Sequence, residues 1–237
     1  MRPALRSCSA RKHCQDLRVP KWLKMFIGIL LLPACVGGAW ALERVLRASG
    51  QADTFWVAVL AGAACWLSIY LLLPKPMWVY VFGHELTHAL WTWLFGGRVK
   101  KFKASSSGGH VVVTRSNFLI ALAPYFFPLY AMLVGAVYVL GSHLWGWQPY
   151  AVWFHLLIGA AYAFHITLTW HILKEEQTDI SEQGYIFSAV ITLLGNLLVL
   201  LIGVPLLTGK VDVMTAFKWW LDCSLALVHQ VGRLVGI

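Results

Sequence analysis

The stretch VYVFGHELTHALWTWLF, residues 79–95, decides how this chain is read. It has the length and apolar character of a membrane span, yet it carries His84, Glu85 and His88. Ionisable groups at membrane depth each cost on the order of 2–3 kcal/mol, so they are tolerated only when paired, ligated or facing water. Residues four apart on a helix stand one above the other, which lets His84 and His88 face one metal ion. Glu85, about 100° round the helix, can act as general base on a water beside that ion. From the chain's own His and Glu frequencies, H-E-x-x-H arises by chance in about one such sequence in a hundred, so the metal reading prevails over accident. Neutral imidazoles suit Zn²⁺, and the small neighbours Gly83, Thr87 and Ala89 permit close approach by another helix.

The rest of the sequence places this stretch in lipid. Of 237 residues, 59% are hydrophobic and 12% charged, more apolar surface than a soluble domain of this length can hide. Apolar runs between charged or Pro/Gly breaks give six expected spans, at 25–42, 55–73, 77–96, 117–141, 150–173 and 184–207. Trp and Tyr gather at span ends, as in PKPMWVY and HLWGWQPY, where amphipathic rings prefer the headgroup layer. No internal repeat is visible.

Net charge is +9 and local. Residues 1–24 hold seven Lys/Arg against Asp16, and 98–115 hold Arg98, Lys100, Lys101, Lys103 and Arg115 without an acid. Such clusters beside spans read as topology signals and lipid-headgroup contacts, not as nucleic-acid sites. With six spans the two basic segments fall on opposite faces, which the positive-inside rule cannot satisfy together. Segments 98–116 and 174–183, two spans apart, are expected on the same side. The arm 1–24 does not read as a cleavable signal, because its basic region is long and no small-residue cleavage site follows the apolar run; a disordered cytoplasmic tail is expected. Cys8, Cys14, Cys35, Cys65 and Cys223 are scattered without a CxxC pair and imply neither a disulfide framework nor a thiolate site.

A zinc ion needs a third protein ligand and an open position for water. His110, His143, His155, His165, His171 and Asp179 are the candidates, with Asp179 favoured. It lies in the polar run KEEQTDISEQGYIFSAV at the mouth of the sixth span, where a shielded acid can dip to membrane depth. His165 and His171, six apart on the fifth span, do not share a face, and each alone also reads as a buried, hydrogen-bonded histidine.

Residues 79–97 together with 174–196 resemble the site-2 protease family of intramembrane zinc metalloproteases. The resemblance rests on FGHELTHALWTWLFGG, on the polar, glycine-containing segment after it and on the later Asp. It implies zinc held by His84, His88 and Asp179, and Glu85 as the residue that activates water. It also implies that RVKKFKASSSGGHVVVTRS forms a membrane-reentrant β-hairpin whose edge pairs with an unwound substrate. The composition agrees, since HVVVT is β-branched and SSSGG is turn-like. The family's aspartate usually sits in an Asn/Pro-containing stretch ending in Asp-Gly, whereas Ile180 and Ser181 follow Asp179. A divergent, compact member is therefore expected.

Pro124 and Pro128 predict a kink in the fourth span, and Asn196 a polar bridge between helices. Thr215, Lys218, Asp222, His229 and Arg233 trace one stripe of a helix over 211–237, expected along the membrane interface with a seventh span as the alternative. Together these readings predict an all-α polytopic membrane protein with about six transmembrane helices, a reentrant hairpin after the third and a C-terminal amphipathic helix. Its expected divisions are a basic arm (1–24), a membrane metalloprotease-like domain (25–210) and that helix (211–237). The expected location is the plasma membrane of a bacterium, and the expected partners are a membrane-protein or peptide substrate and the lipid bilayer. The rival readings are a metal-binding transporter, a non-proteolytic scaffold and a zinc hydrolase acting on lipid.

Overall fold

The computed structural model describes residues 19–106 and 108–235. Most of them are helical. The helices are α1 (Lys21–Leu30), α2 (Leu32–Ala48), α3 (Asp53–Leu72), α4 (Met77–Leu94), α5 (Phe118–Phe126), α6 (Leu129–Trp145), α7 (Ala151–Ile172), α8 (Thr178–Gln183), α9 (Tyr185–Thr208) and α10 (Val213–Val235). Between α4 and α5 lie two antiparallel strands, β1 (Val99–Ser105) and β2 (Gly108–Val113). The basic arm expected over 1–24 falls largely outside the described residues, and its last four residues already belong to α1. The chain packs as two units: Trp56–Glu182, and Val19–Phe55 with Gln183 onward.

Three segments are long and apolar enough to cross a membrane on their own: α3, Gln148–Ile172 and α9. Counting the bent pairs α1–α2 and α5–α6 as one span each raises the number to five, against the six expected. The difference is α4. It is 18 residues long, but its polar residues lower its hydropathy, and nine of its residues are buried, His84, Glu85, Thr87, His88 and Thr92 among them. Its polar stripe is shielded by protein rather than exposed to lipid, as intramembrane ionisable groups require.

In the first unit, α3, α4 and α7 pack around Trp66, Tyr80, Val81, Phe164, Leu168 and Ile172. Gly62 and Gly159 let α3 and α7 touch backbone to backbone, since a methyl at either would overlap the other helix. Trp66 Nε1 donates to Thr167 Oγ1 at 2.8 Å, and Tyr80 Oη donates to Thr169 Oγ1 at 3.3 Å. Together with Gly62 against Leu156 and Ala160 these pairings make α7 parallel to α3, and the approach of His84 to His165 beside the Tyr80–Thr169 bond makes α7 antiparallel to α4.

Pro128 ends α5. The residue before a proline is pushed out of the helical region, and Phe127 is extended at φ −95° and ψ 104°. The axis turns by 76° between α5 and α6, far more than the expected kink. Arg115 Nη1 donates to Phe95 O at 3.2 Å near the C-terminal end of α4, whereas Tyr130 Oη donates to Val79 O at 2.5 Å near its start. The α5–α6 pair thus begins beside the C-terminal end of α4 and reaches its start at Tyr130.

The second unit joins α1, α2, α9 and α10. The helix expected over 211–237 forms as α10 and packs on α2. Trp220 Nε1 donates to Ala34 O at 2.7 Å, and Ser224 and Trp220 occupy the space that Gly37 and Gly38 leave open. Small residues on α2 admit that close crossing.

Candidate metal centre

The geometry at the middle of α4 follows from helix periodicity. His84 and His88 stand one turn apart with ring centroids at 5.0 Å, edge to face. Asp179, in the first turn of α8, brings its Oδ2 to 3.7 Å from His84 Nε2 and 3.4 Å from His88 Nε2. The three side chains offer ligand atoms within 4.8 Å of one another, and all three are buried.

His88 Nδ1 lies 2.8 Å from Ile120 O. A carbonyl only accepts, so Nδ1 carries the proton and Nε2 keeps its lone pair. That buried Nε2 has no hydrogen-bond partner among the described residues, although a carboxylate oxygen stands beside it. Two acceptors facing each other in a buried site call for a cation between them. The spacing agrees, because atoms about 2.0–2.1 Å from a tetrahedral zinc stand about 3.4 Å apart. The residues present fit a zinc ion.

The supporting contacts come from α5. Asn117 caps that helix by accepting from Ile120 N at 2.8 Å, which fixes the carbonyl that orients His88. Tyr125, 1% exposed, packs edge-on against His84 at 5.4 Å and reaches Asp179 Oδ2 through its hydroxyl at 3.4 Å. Both contacts escaped the sequence reading. No local pattern announces a backbone carbonyl, and the only hint of Tyr125 is its place between Pro124 and Pro128.

Glu85 is 1% exposed. Strand β2 lies against it: a Cβ on Gly109 would stand 2.7 Å from Glu85 Cγ and 2.8 Å from Oε1. Phe102 of β1 packs on Phe82 of α4 at 5.7 Å and pins the hairpin there. Of the small residues beside the motif, Gly83 makes room for the Tyr130 ring, which a Cβ would meet at 2.7 Å. Thr87 bonds back to Gly83 O at 2.8 Å.

The remaining histidines considered as ligands stand outside the cluster. His110 pairs across the hairpin with Lys103, His143 ends α6, and His155 and His171 lie towards opposite ends of α7. His165 is buried within electrostatic reach of His84, but it does not join the group of ligand atoms.

A family model described as Peptidase M50B-like matches residues 55–173. The chain belongs to this family. The M50B-like match takes in α4, the hairpin, α5, α6 and α7, and it ends before Asp179. The site-2 protease resemblance seen in the sequence is thereby shown at the level of the family, and membership implies a metallopeptidase. No curated protein and no solved structure matches the chain. For this M50B-like chain, the third position of the cluster rests on Asp179's geometry alone.

Proposed function

We propose that this chain is an intramembrane zinc metalloprotease that hydrolyses peptide bonds in or next to transmembrane segments of membrane proteins. The observation that carries the reading is the convergence of His84, His88 and Asp179 at one buried point, with Glu85 on the adjoining face of the same helix. His84, His88 and Asp179 are the proposed metal ligands and Glu85 the proposed catalytic base.

When bound, zinc supplies Lewis-acid polarisation and makes a water acidic enough to lose a proton near neutral pH. Ile120 O holds His88 in the Nδ1–H tautomer and so presents Nε2 to the site. Asp179 supplies the negative charge that the two neutral imidazoles lack. Glu85 takes the proton of the attacking water and passes it to the leaving amine as the C–N bond breaks. The burial of all four side chains restricts water to what the reaction consumes. The hairpin lies where a substrate strand can pair along its edge beside Glu85.

The proposed setting is the bilayer of a bacterial plasma membrane, and a nucleic-acid partner is not part of the reading. A transporter would call for successive ligand stations along a path, whereas one such group stands among the described residues. Glu85→Gln tests the reading against the scaffold and transporter alternatives. Loss of cleavage of a membrane-protein substrate with zinc retained is the expected result, and unchanged function in the variant overturns it.

A further inference from the structure

His165 is a buried titratable group near the cluster that the mechanism leaves unused. It sits on α7 and is 6% exposed, and its Nε2 has no hydrogen-bond partner among the described residues. A buried polar nitrogen left unsatisfied costs about 1–3 kcal/mol, so such a group asks for an explanation.

Its position supplies one. The bond between Tyr80 and Thr169 joins α4 to α7, and the two helices run antiparallel. One turn onward from Tyr80 is His84, and one turn back from Thr169 is His165, so the two imidazoles stand at the same level of facing helices. The electrostatic influence of His84 on His165 agrees with that placement. The Tyr162 ring, at 6.4 Å, packs beside the imidazole. His165 is therefore next to the cluster without being part of it.

We propose that His165 is a catalytic residue that contacts substrate, its neutral Nε2–H donating a hydrogen bond to the carbonyl oxygen of the scissile peptide. This rests on the peptidase reading above. The water oxygen bonds to the carbonyl carbon, and the C=O π pair moves onto the oxygen. The water's proton goes to the Glu85 carboxylate and then to the amide nitrogen, and the oxygen's pair re-forms C=O as the C–N bond breaks. His165 keeps its proton throughout and stabilises the charge that gathers on the oxygen. The nitrogen lacks a partner in the resting protein because its partner arrives with the substrate. A preorganised donor of this kind is worth about 10²–10³ in kcat when removed.

The experiment uses the full chain in detergent with zinc, a fluorogenic peptide of apolar sequence and a phosphinic peptide of the same sequence as a tetrahedral mimic. Wild type, Glu85→Gln, His165→Phe and His165→Gln are compared for zinc content, thermal midpoint, kcat, KM and phosphinic-peptide affinity. The expected result is that H165F keeps its zinc and its midpoint while kcat falls about 10²–10³-fold at nearly constant KM. Phosphinic-peptide affinity is expected to fall with kcat, and H165Q, which restores an N–H donor, to recover part of both. H165F with kcat within about threefold of wild type would make His165 a packing residue. Loss of zinc in H165F would make it a ligand, and either result overturns the proposal. If H165F loses its midpoint, H165Q decides: a folded H165Q no better than unfolded H165F in phosphinic-peptide binding also overturns it. Wild type and E85Q alike inert on the peptide would instead overturn the peptidase reading, and this proposal with it.

Discussion

Asp179 Oδ2 lies 3.4 Å from His88 Nε2, although 91 positions separate the two residues (179 − 88). The gap suits two ligands of one ion better than a hydrogen bond, and two helices of different origin meet to create it. The α4 helix supplies the histidine pair. The acid comes from α8, beyond α7, and its carboxylate is met by the Tyr125 hydroxyl at 3.4 Å.

That hydroxyl should matter for metal affinity. Tyr125→Phe keeps the ring that packs on His84 and removes only the contact to Asp179. Contacts that orient a ligand are typically worth 10–100-fold in metal affinity, so zinc binding to Tyr125→Phe should weaken about tenfold at unchanged thermal midpoint. Competition with a chromogenic chelator reads this directly, and equal affinity in both proteins would remove Tyr125 from the site.

The close seating of β2 on Glu85 makes a second prediction. Gly109→Ala puts a methyl against the Glu85 carboxyl group and the Lys103 carbonyl, both within 2.8 Å of the new Cβ. The hairpin or the glutamate must then shift, and a displaced base costs about 10–100-fold in turnover. Zinc content should be unaffected, because neither group is a ligand. Peptide cleavage measured beside metal analysis separates the two effects.

Helix packing gives a third. Gly62→Leu forces a side chain into the Leu156 and Ala160 backbone of α7, and overpacking of this kind costs about 1–3 kcal/mol. Gly135→Leu, on α6 with nothing within 4 Å of the new Cβ, should change the midpoint little. Thermal unfolding in the same detergent compares them, and equal midpoints for the two variants would contradict the close α3–α7 contact.

What the sequence disclosed divides along the line between local and long-range structure. His84, Glu85 and His88 were legible because helical spacing alone sets their faces. Asp179 was one of several candidate ligands, since only the path of α5 through α8 brings it back to α4. Pro124 and Pro128 announced a break, but a proline pattern gives neither the 76° turn nor its direction. The count of six spans treated α4 like its neighbours. Its polar stripe, the sign of function, is also what drops it from the apolar set. The stripe on α10 was visible in its spacing, while its docking on Gly37 and Gly38 depends on a partner helix far away in sequence.

Metal content of the purified full-length chain tests the centre most directly, with wild type, Asp179→Ala and His171→Ala prepared side by side in zinc-supplemented detergent. About one zinc per chain is expected in wild type and in His171→Ala, and under about a tenth of that in Asp179→Ala. Wild type without zinc, or Asp179→Ala retaining it in full, would contradict a metal centre built from His84, His88 and Asp179.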